Sequence, residues 1–223
     1  MSTKQRILDA ALALFNERGE RNVTTNHIAA HLDISPGNLY YHFKNKQAII
    51  FELFLGYEQR VLENLYVPDD RPLTAADKLN YLKAVFTGLW DYRFIHRDME
   101  HLLSADEALH ARYRAFFTLC LGQVRKIYRG LRDAGMITIS DDEVDSLALN
   151  TWIVVTSWFS FLRCNLMGES QDEISQEMLW GGIYQVFTLE RPYLTDEYRD
   201  VINRLQHELS PKPAWLSEFK ASS

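Results

Sequence analysis

The chain holds only two cysteines, Cys120 and Cys164, with neither CxxC spacing nor a histidine cluster beside them. A disulfide framework or a zinc site needs several thiols or imidazoles at short, regular spacing, so both are excluded and the two residues read as buried thiols. A long hydrophobic run is also missing. The most apolar stretch, 147–162, is interrupted by Asn150, Thr151, Thr156, Ser157 and Ser160 and falls short of the roughly 20 residues that span a bilayer. The N-terminus is amphipathic, with Asp9 and Glu17 where a signal peptide would be apolar, so a cytoplasmic protein without membrane contact is expected. No phosphate-cradling glycine loop, HExxH, GxSxG or acid–base pair at useful spacing occurs, which argues against an enzyme and leaves no cofactor or metal to expect.

What is present is an ordinary globular composition, 47% hydrophobic and 24% charged, with a net charge of −6. That charge is unevenly spread. Lys4, Arg6, Arg18, Arg21, Lys44 and Lys46 against Asp9, Glu17, Glu20 and Asp33 give residues 1–48 a net +2, and the other 175 residues carry −8. A basic head on an acidic body binds phosphate with one end only.

Helical periodicity runs through nearly the whole sequence, and no alternating apolar–polar run competes with it, so the fold class is all-α. A first helix over about 3–18 places Ile7, Ala10, Ala11, Leu14 and Phe15 on one face and stops at Gly19. A short second helix is capped by Thr24 or Thr25, with Ile28, Ala29 and Leu32 inward. A tight turn at Asp33-Ile34 follows, and Ser35-Pro36 starts a third helix that ends near Phe43. Asn45 caps a long fourth helix whose apolar face is Ile50, Leu53, Phe54, Tyr57, Val61 and Leu65. Beyond the break at 68–72, helices are predicted over 74–97, 98–104, 107–134, 142–165, 172–190 and 195–209, with an extended arm from Ser210 on which Trp215, Leu216 and Phe219 stand.

The stretch 24–46, TTNHIAAHLDISPGNLYYHFKNK, sets two short helices across a tight turn, the arrangement that places the second helix in the DNA major groove. Ala29 and Ala30 are small enough for close helix approach. Leu39 and Phe43, four apart, anchor the third helix by one face and leave Gly37, Asn38, Tyr41 and His42 outward. Asparagine reads base edges, glycine permits close backbone approach, and tyrosine and histidine donate to phosphate. The candidate DNA-binding residues are therefore Thr24, Thr25, Ser35, Pro36, Gly37, Asn38, Tyr41, His42 and Lys46. Lys46 lies in the first turn of the fourth helix, where free N–H groups favour an anion, so it is expected on phosphate. Tyr40 is expected in the helix interface, and His27 and His31 as plain surface residues.

This pattern, with its Leu-Tyr-Tyr-His-Phe-Lys-Asn-Lys ending, resembles the DNA-binding domain of TetR-family regulators over about residues 5–52. Asp33 departs from the glycine usual in that turn, but aspartate tolerates the left-handed conformation better than most residues. The resemblance implies a helix-turn-helix domain at 1–48, with residues 49–223 forming a helical effector-binding and dimerisation domain. It further implies a homodimeric repressor on a palindromic double-stranded DNA operator, released by a small-molecule effector.

In the body, the aromatic-rich middle offers Trp90, Arg93, Phe94, Phe117, Cys120, Trp152 and Phe159 as candidate effector-pocket residues, although aromatics at helical spacing equally make plain core. The last two long helices, the dimerisation helices that the resemblance implies, offer Trp152, Val155, Trp158, Trp180, Ile183 and Phe187. Gly181-Gly182, at about 1 kcal/mol per glycine relative to alanine, calls for close packing against a facing helix. A constitutive or architectural DNA-binding protein, whose acidic body recruits a partner and takes no ligand, is the alternative reading.

Overall fold

The structure is a computed structural model that describes residues 1–166 and 174–209. Gly168 and the arm with Pro211, Pro213, Trp215, Leu216 and Phe219 lie outside the described residues. Eleven helices are described: α1 (Thr3–Arg18), α2 (Thr25–His31), α3 (Pro36–His42), α4 (Lys46–Asn64), α5 (Ala75–Asp91), α6 (Arg93–Arg97), α7 (Met99–Ala105), α8 (Glu107–Asp133), α9 (Asp141–Leu166), α10 (Gln176–Glu190) and α11 (Asp196–Leu209). Short 3-10 turns stand at Glu20–Asn22 and Arg191–Tyr193. The fold is all-α, and the one bridge described, Ile137 with Leu194, is isolated. No described helix is long and apolar enough to cross a membrane.

The chain forms two compact units. The first comprises Met1–Val61 and Asp91–Phe116; the second comprises Leu62–Trp90 and the described residues from Phe117 onward. The head expected at 1–48 thus lies inside a larger compact body of chain.

In the first unit the apolar face of α1 is buried as its spacing predicts, with Ile7, Ala10, Ala11, Leu14 and Phe15 all inside. The helix expected over 74–97 breaks at Tyr92, where φ −115° and ψ 32° leave helical values. Asn16 explains how the break is tolerated. Its amide nitrogen donates to the Asp91 carbonyl at 2.7 Å, and its oxygen accepts from Phe94 N–H at 3.1 Å, so groups freed by the break are satisfied from α1. Phe94 then packs against Phe15 with the rings tilted 47° and their centroids 5.2 Å apart. Two fully buried phenylalanines contribute about 1.5 to 3 kcal/mol each from burial. Arg97 adds a guanidinium bond to the Phe15 carbonyl at the end of α1.

In the second unit α9 and α10 pack side by side. Gly182 is required there: a Cβ on it would stand 2.4 Å from the Phe86 ring and 3.0 Å from Trp158. The close packing expected to offset the glycine is supplied by α5 and α9. The same unit holds a buried polar cluster drawing one residue from each of four helices. Lys78 of α5 pairs with Glu190 of α10; Tyr128 of α8 donates to Glu190 at 2.7 Å and shares a 2.6 Å bond with Thr151 of α9. The Lys78 ammonium also faces the rings of Phe187 and Tyr128, at 5.4 and 5.9 Å. Burial pushes the Lys78 pKa down to about 7 and the Tyr128 phenol well above its ordinary range. Of the two thiols, Cys120 is buried as expected but Cys164 is exposed, because it falls on the outer side of α9.

Candidate nucleic-acid interface

The two short helices are fixed almost wholly by local caps. Thr24 is the N-cap of α2: its hydroxyl accepts from His27 N–H at 3.3 Å, and the His27 ring nitrogen accepts from Thr24 N–H at 3.2 Å. His27, expected as a plain surface residue, therefore completes a reciprocal capping box in the place usually held by glutamate or glutamine. The α2 end closes on Asp33 at φ 53°, with Ile34 N–H reaching Ala29 C=O at 3.1 Å and Asp33 N–H reaching Ala30 C=O at 3.2 Å. This is the left-handed turn a glycine would make, with aspartate in its place. Ser35 caps α3 through Asn38 N–H at 3.2 Å, Pro36 holds the first helical position, and Asn45 caps α4 through Ala48 N–H at 2.8 Å.

Leu39 and Phe43 are buried, so α3 is pinned by one face. Gly37, Asn38 and Tyr41 are exposed, Tyr41 at 86%, while His42 is half-buried with its ring edge-on to Tyr41 at 5.2 Å. Thr24 and Ser35 are exposed too. A hydroxyl that accepts a cap bond keeps its own O–H to donate, so capping and phosphate contact do not compete. Thr25 pairs with Tyr40, hydroxyl to hydroxyl at 3.0 Å. Tyr40 is 49% exposed, so it is not packed away in the helix interface; it braces α3 against α2 from the outside. Of the two alanines, Ala29 is buried and Ala30 is exposed, so only the first serves close approach.

Lys46 departs from expectation. Its ammonium lies 2.6 Å from Glu20 Oε1 and donates to the Glu20 and Val23 carbonyls, each at 3.1 Å. All three donors are engaged inside the head. Lys4 is also occupied, 2.9 Å from Glu52 and 5.6 Å from the Phe43 ring centre. Lys44, by contrast, is exposed at the foot of α3. It lines a hollow of about 380 Å³ with Asn45, Gln47, Ala48, Phe51, Glu52, Asp106 and Ala108. None of the expected effector-pocket residues lines that hollow.

Those pocket residues divide between the two units. Phe94 and Arg93 belong to the first unit, with Phe94 buried in a tilted contact with Phe15. Trp90, Phe117, Cys120, Trp152 and Phe159 belong to the second, where Phe117 meets Trp152 edge-on at 5.2 Å and Cys120 and Phe159 are buried. The dimerisation set needs correction as well. Trp158, Ile183 and Phe187 are buried within the chain itself, so they have no surface to offer a partner. Trp152, Val155 and Trp180 are half-buried. Among the described residues, the large apolar side chains that α9 leaves exposed are Leu149, Ile153 and Phe161. Leu149 and Ile153, four apart, were legible as one stripe but not as the side left uncovered.

Known proteins share this arrangement. The sequence pattern described as "Bacterial regulatory proteins, tetR family" matches residues 7–53, and that described as "TetR: Bacterial transcriptional repressor" matches 56–202. A TetR-family transcriptional regulator from Marinobacter aquaeolei VT8, known from its crystal structure, is 48% identical, with 95% of this chain and 100% of that one covered and a TM-score of 0.87. The Escherichia coli K12 regulator UidR is 38% identical over 66 residues, 30% of this chain and 34% of its own length, so the matched stretch spans about a third of such curated relatives. SmeT, the repressor of the Stenotrophomonas maltophilia multidrug efflux pump SmeDEF, shares the fold at 23% identity, covering 88% of this chain and 92% of its own with a TM-score of 0.61. It has also been solved as a triclosan complex, at 21% identity, 88% and 93% coverage and a TM-score of 0.58.

Proposed function

Because this chain belongs to the TetR family of transcriptional regulators, DNA-binding proteins rather than enzymes, we propose that it is a homodimeric repressor released from a palindromic operator by a small apolar or aromatic effector. The observation that carries the DNA reading is the division of α3: Leu39 buried, with Gly37, Asn38 and Tyr41 facing solvent. Such a face suits base edges and phosphates better than plain solubility, which glutamate and lysine would serve. Residues 1–48 do the reading, and residues 49–223 carry dimerisation and the effector. The protein acts in the cytoplasm, where its operator is.

Dimerisation is supported by the uncovered apolar stripe Leu149 and Ile153 on α9, the second 51% exposed. A two-fold dimer sets paired recognition helices about 34–36 Å apart, one turn of DNA. Effector release follows if the ligand favours a body conformation whose heads are wrongly spaced, since only differential affinity moves such an equilibrium. The SmeT–triclosan complex supports a small-molecule effector, and the Phe117–Trp152 pair supports an aromatic-lined site for it.

Fluorescence anisotropy on a palindromic duplex from the protein's own promoter region tests the reading. Tight, salt-sensitive binding is expected, weakened about tenfold or more in Asn38→Ala/Tyr41→Ala, which corresponds to ~1.4 kcal/mol or more. Binding to no such duplex, or full affinity in that variant, rejects it. Sedimentation of Ile153→Glu should give a monomer where the parent gives a dimer.

A further inference from the structure

The His27 ring has a structural task at the start of α2, and that task is open to acid. Thr24 N–H donates to His27 Nδ1 at 3.2 Å, and the Thr24 hydroxyl accepts from His27 N–H at 3.3 Å. Each half of this box satisfies a backbone donor that the start of a helix leaves without a partner. Glutamate and glutamine, the usual residues there, go on accepting in mild acid, whereas imidazole accepts only while Nδ1 carries no proton. With Nδ1 so used, the one ring proton of the neutral form sits on Nε2. A second proton would go to Nδ1 and set a donor against the Thr24 N–H. It would also put positive charge in the first turn of a helix, at the positive end of its dipole. Histidine is the side chain that ordinarily changes charge between about pH 5 and 8. His27 is exposed and forms no ion pair among the described residues. Of the titratable groups on the adjoining elements, α2 carries His31 one turn on, and α3 carries Tyr40, bonded to Thr25, with Tyr41 and His42 set edge-on. The Lys46 ammonium is on Glu20 and the Val23 carbonyl, and at the end of α1 Arg18 and Arg21 pair with Glu17 and Asp98.

We infer that His27 is a positioning residue for DNA binding: its neutral ring fixes the N-terminus of α2, where the candidate contacts Thr24 and Thr25 stand, and protonation in mild acid releases that turn and weakens the hold on DNA. The link to the reading helix is short. Thr25 is the first residue of α2, and its hydroxyl pairs with Tyr40 of α3 at 3.0 Å. Loosening the first turn of α2 therefore reaches the helix that presents Gly37, Asn38 and Tyr41. The sign is opposite to that of a histidine placed on phosphate, which would bind more tightly as it gained a proton. The inference rests on the DNA-binding reading above.

The test is the pH dependence of affinity at constant salt, with a duplex enriched by the parent protein from a random pool as probe. His31 and His42 titrate as well, so the reference is His27→Gln, which keeps both of them and keeps a cap acceptor that takes no proton. The ratio of parent to His27→Gln affinity should be near one at about pH 8 and fall about threefold or more by about pH 5.5. His27→Ala, without the box at any pH, should bind more weakly than His27→Gln already at about pH 8. A ratio that stays flat or rises towards acid, or an alanine variant equal to the glutamine one, overturns the inference while leaving the DNA reading intact. A second readout needs no DNA. In the free parent the Thr24 amide resonance should move along the same pH curve as the His27 ring, and in His27→Gln that movement should be gone. A Thr24 resonance indifferent to the ring overturns the inference whatever the affinities do. If the parent enriches no duplex at all, the DNA reading falls and this inference falls with it.

Discussion

Each of the two units buries a lysine–glutamate pair, and the pairs differ in reach. Lys46 and Glu20 are 26 residues apart, and the lysine keeps 23% of its side chain exposed at the edge of the head. Lys78 and Glu190 are 112 residues apart, both side chains at 5% exposure or less, sealed with Tyr128, Thr151 and the Phe187 ring. The first pair completes a structure already specified by local caps. The second closes a polar cluster that draws one residue from each of four helices. A buried pair adds little net stability over an apolar one, but losing one partner strands a charge. The body therefore depends on its pair more than the head does.

That contrast can be broken most forcefully at Lys78. Lys78→Met leaves the buried Glu190 carboxylate without its cation, with the Tyr128 hydroxyl still donating to it, and should destabilise the body by about 3 to 5 kcal/mol in denaturant unfolding, with much of the loss recovered in Lys78→Met/Glu190→Gln. A smaller single-variant loss would mean that water reaches Glu190. Next in size comes the glycine contrast. Gly182→Ala drives a methyl group into the Phe86 ring and should cost about 1 to 3 kcal/mol. Gly122→Ala on α8 meets nothing within 4 Å and should raise the thermal midpoint, by up to ~1 kcal/mol of helix propensity. Both variants destabilising alike would show that the close approach at Gly182 is not what requires the glycine.

The smallest effect sharpens the comparison from the other side, by asking whether a local signal in the body behaves as the head's do. Thr74 and Asp77 form a cap at the start of α5, and Arg71 bonds Asp77 at 2.6 and 2.8 Å. The Arg71 bonds, with help from Thr74, hold the Asp77 carboxyl far below the usual carboxylate range. A depressed folded-state value means that the stabilisation is fully present above the ordinary aspartate value of about 3.9 and is lost as pH falls through the lower folded value. Asp77→Asn should cost about 1 kcal/mol at neutral pH, and the difference from the parent should shrink in strong acid. A constant difference across the range would show that the carboxylate charge is not involved.

Legibility followed the same divide. In the head, Ser35-Pro36, Asn45 and the turn at Asp33 could be placed because a cap is a bond between residues three or four apart. His27 was missed because an imidazole seldom stands in the capping box. In the body the apolar periodicity located α9 and α10 but could not say which apolar side was covered. The sequence offers Ile183 and Phe187 as partner contacts, yet both are buried in the core, whereas Leu149 and Ile153 are exposed. A helix apolar all round has no moment that points inward.

The sequence by itself determined the helices, the caps and turn that build the head, and the outward set Gly37, Asn38 and Tyr41, since each depends on neighbours within one or two turns. Tertiary structure alone decided the break at Tyr92, met by Asn16 from α1. It also decided the engagement of Lys46 by Glu20 and the gathering of Lys78, Tyr128, Thr151 and Glu190. Those are pairings between distant residues, and no periodicity or spacing records which buried charge will find which partner.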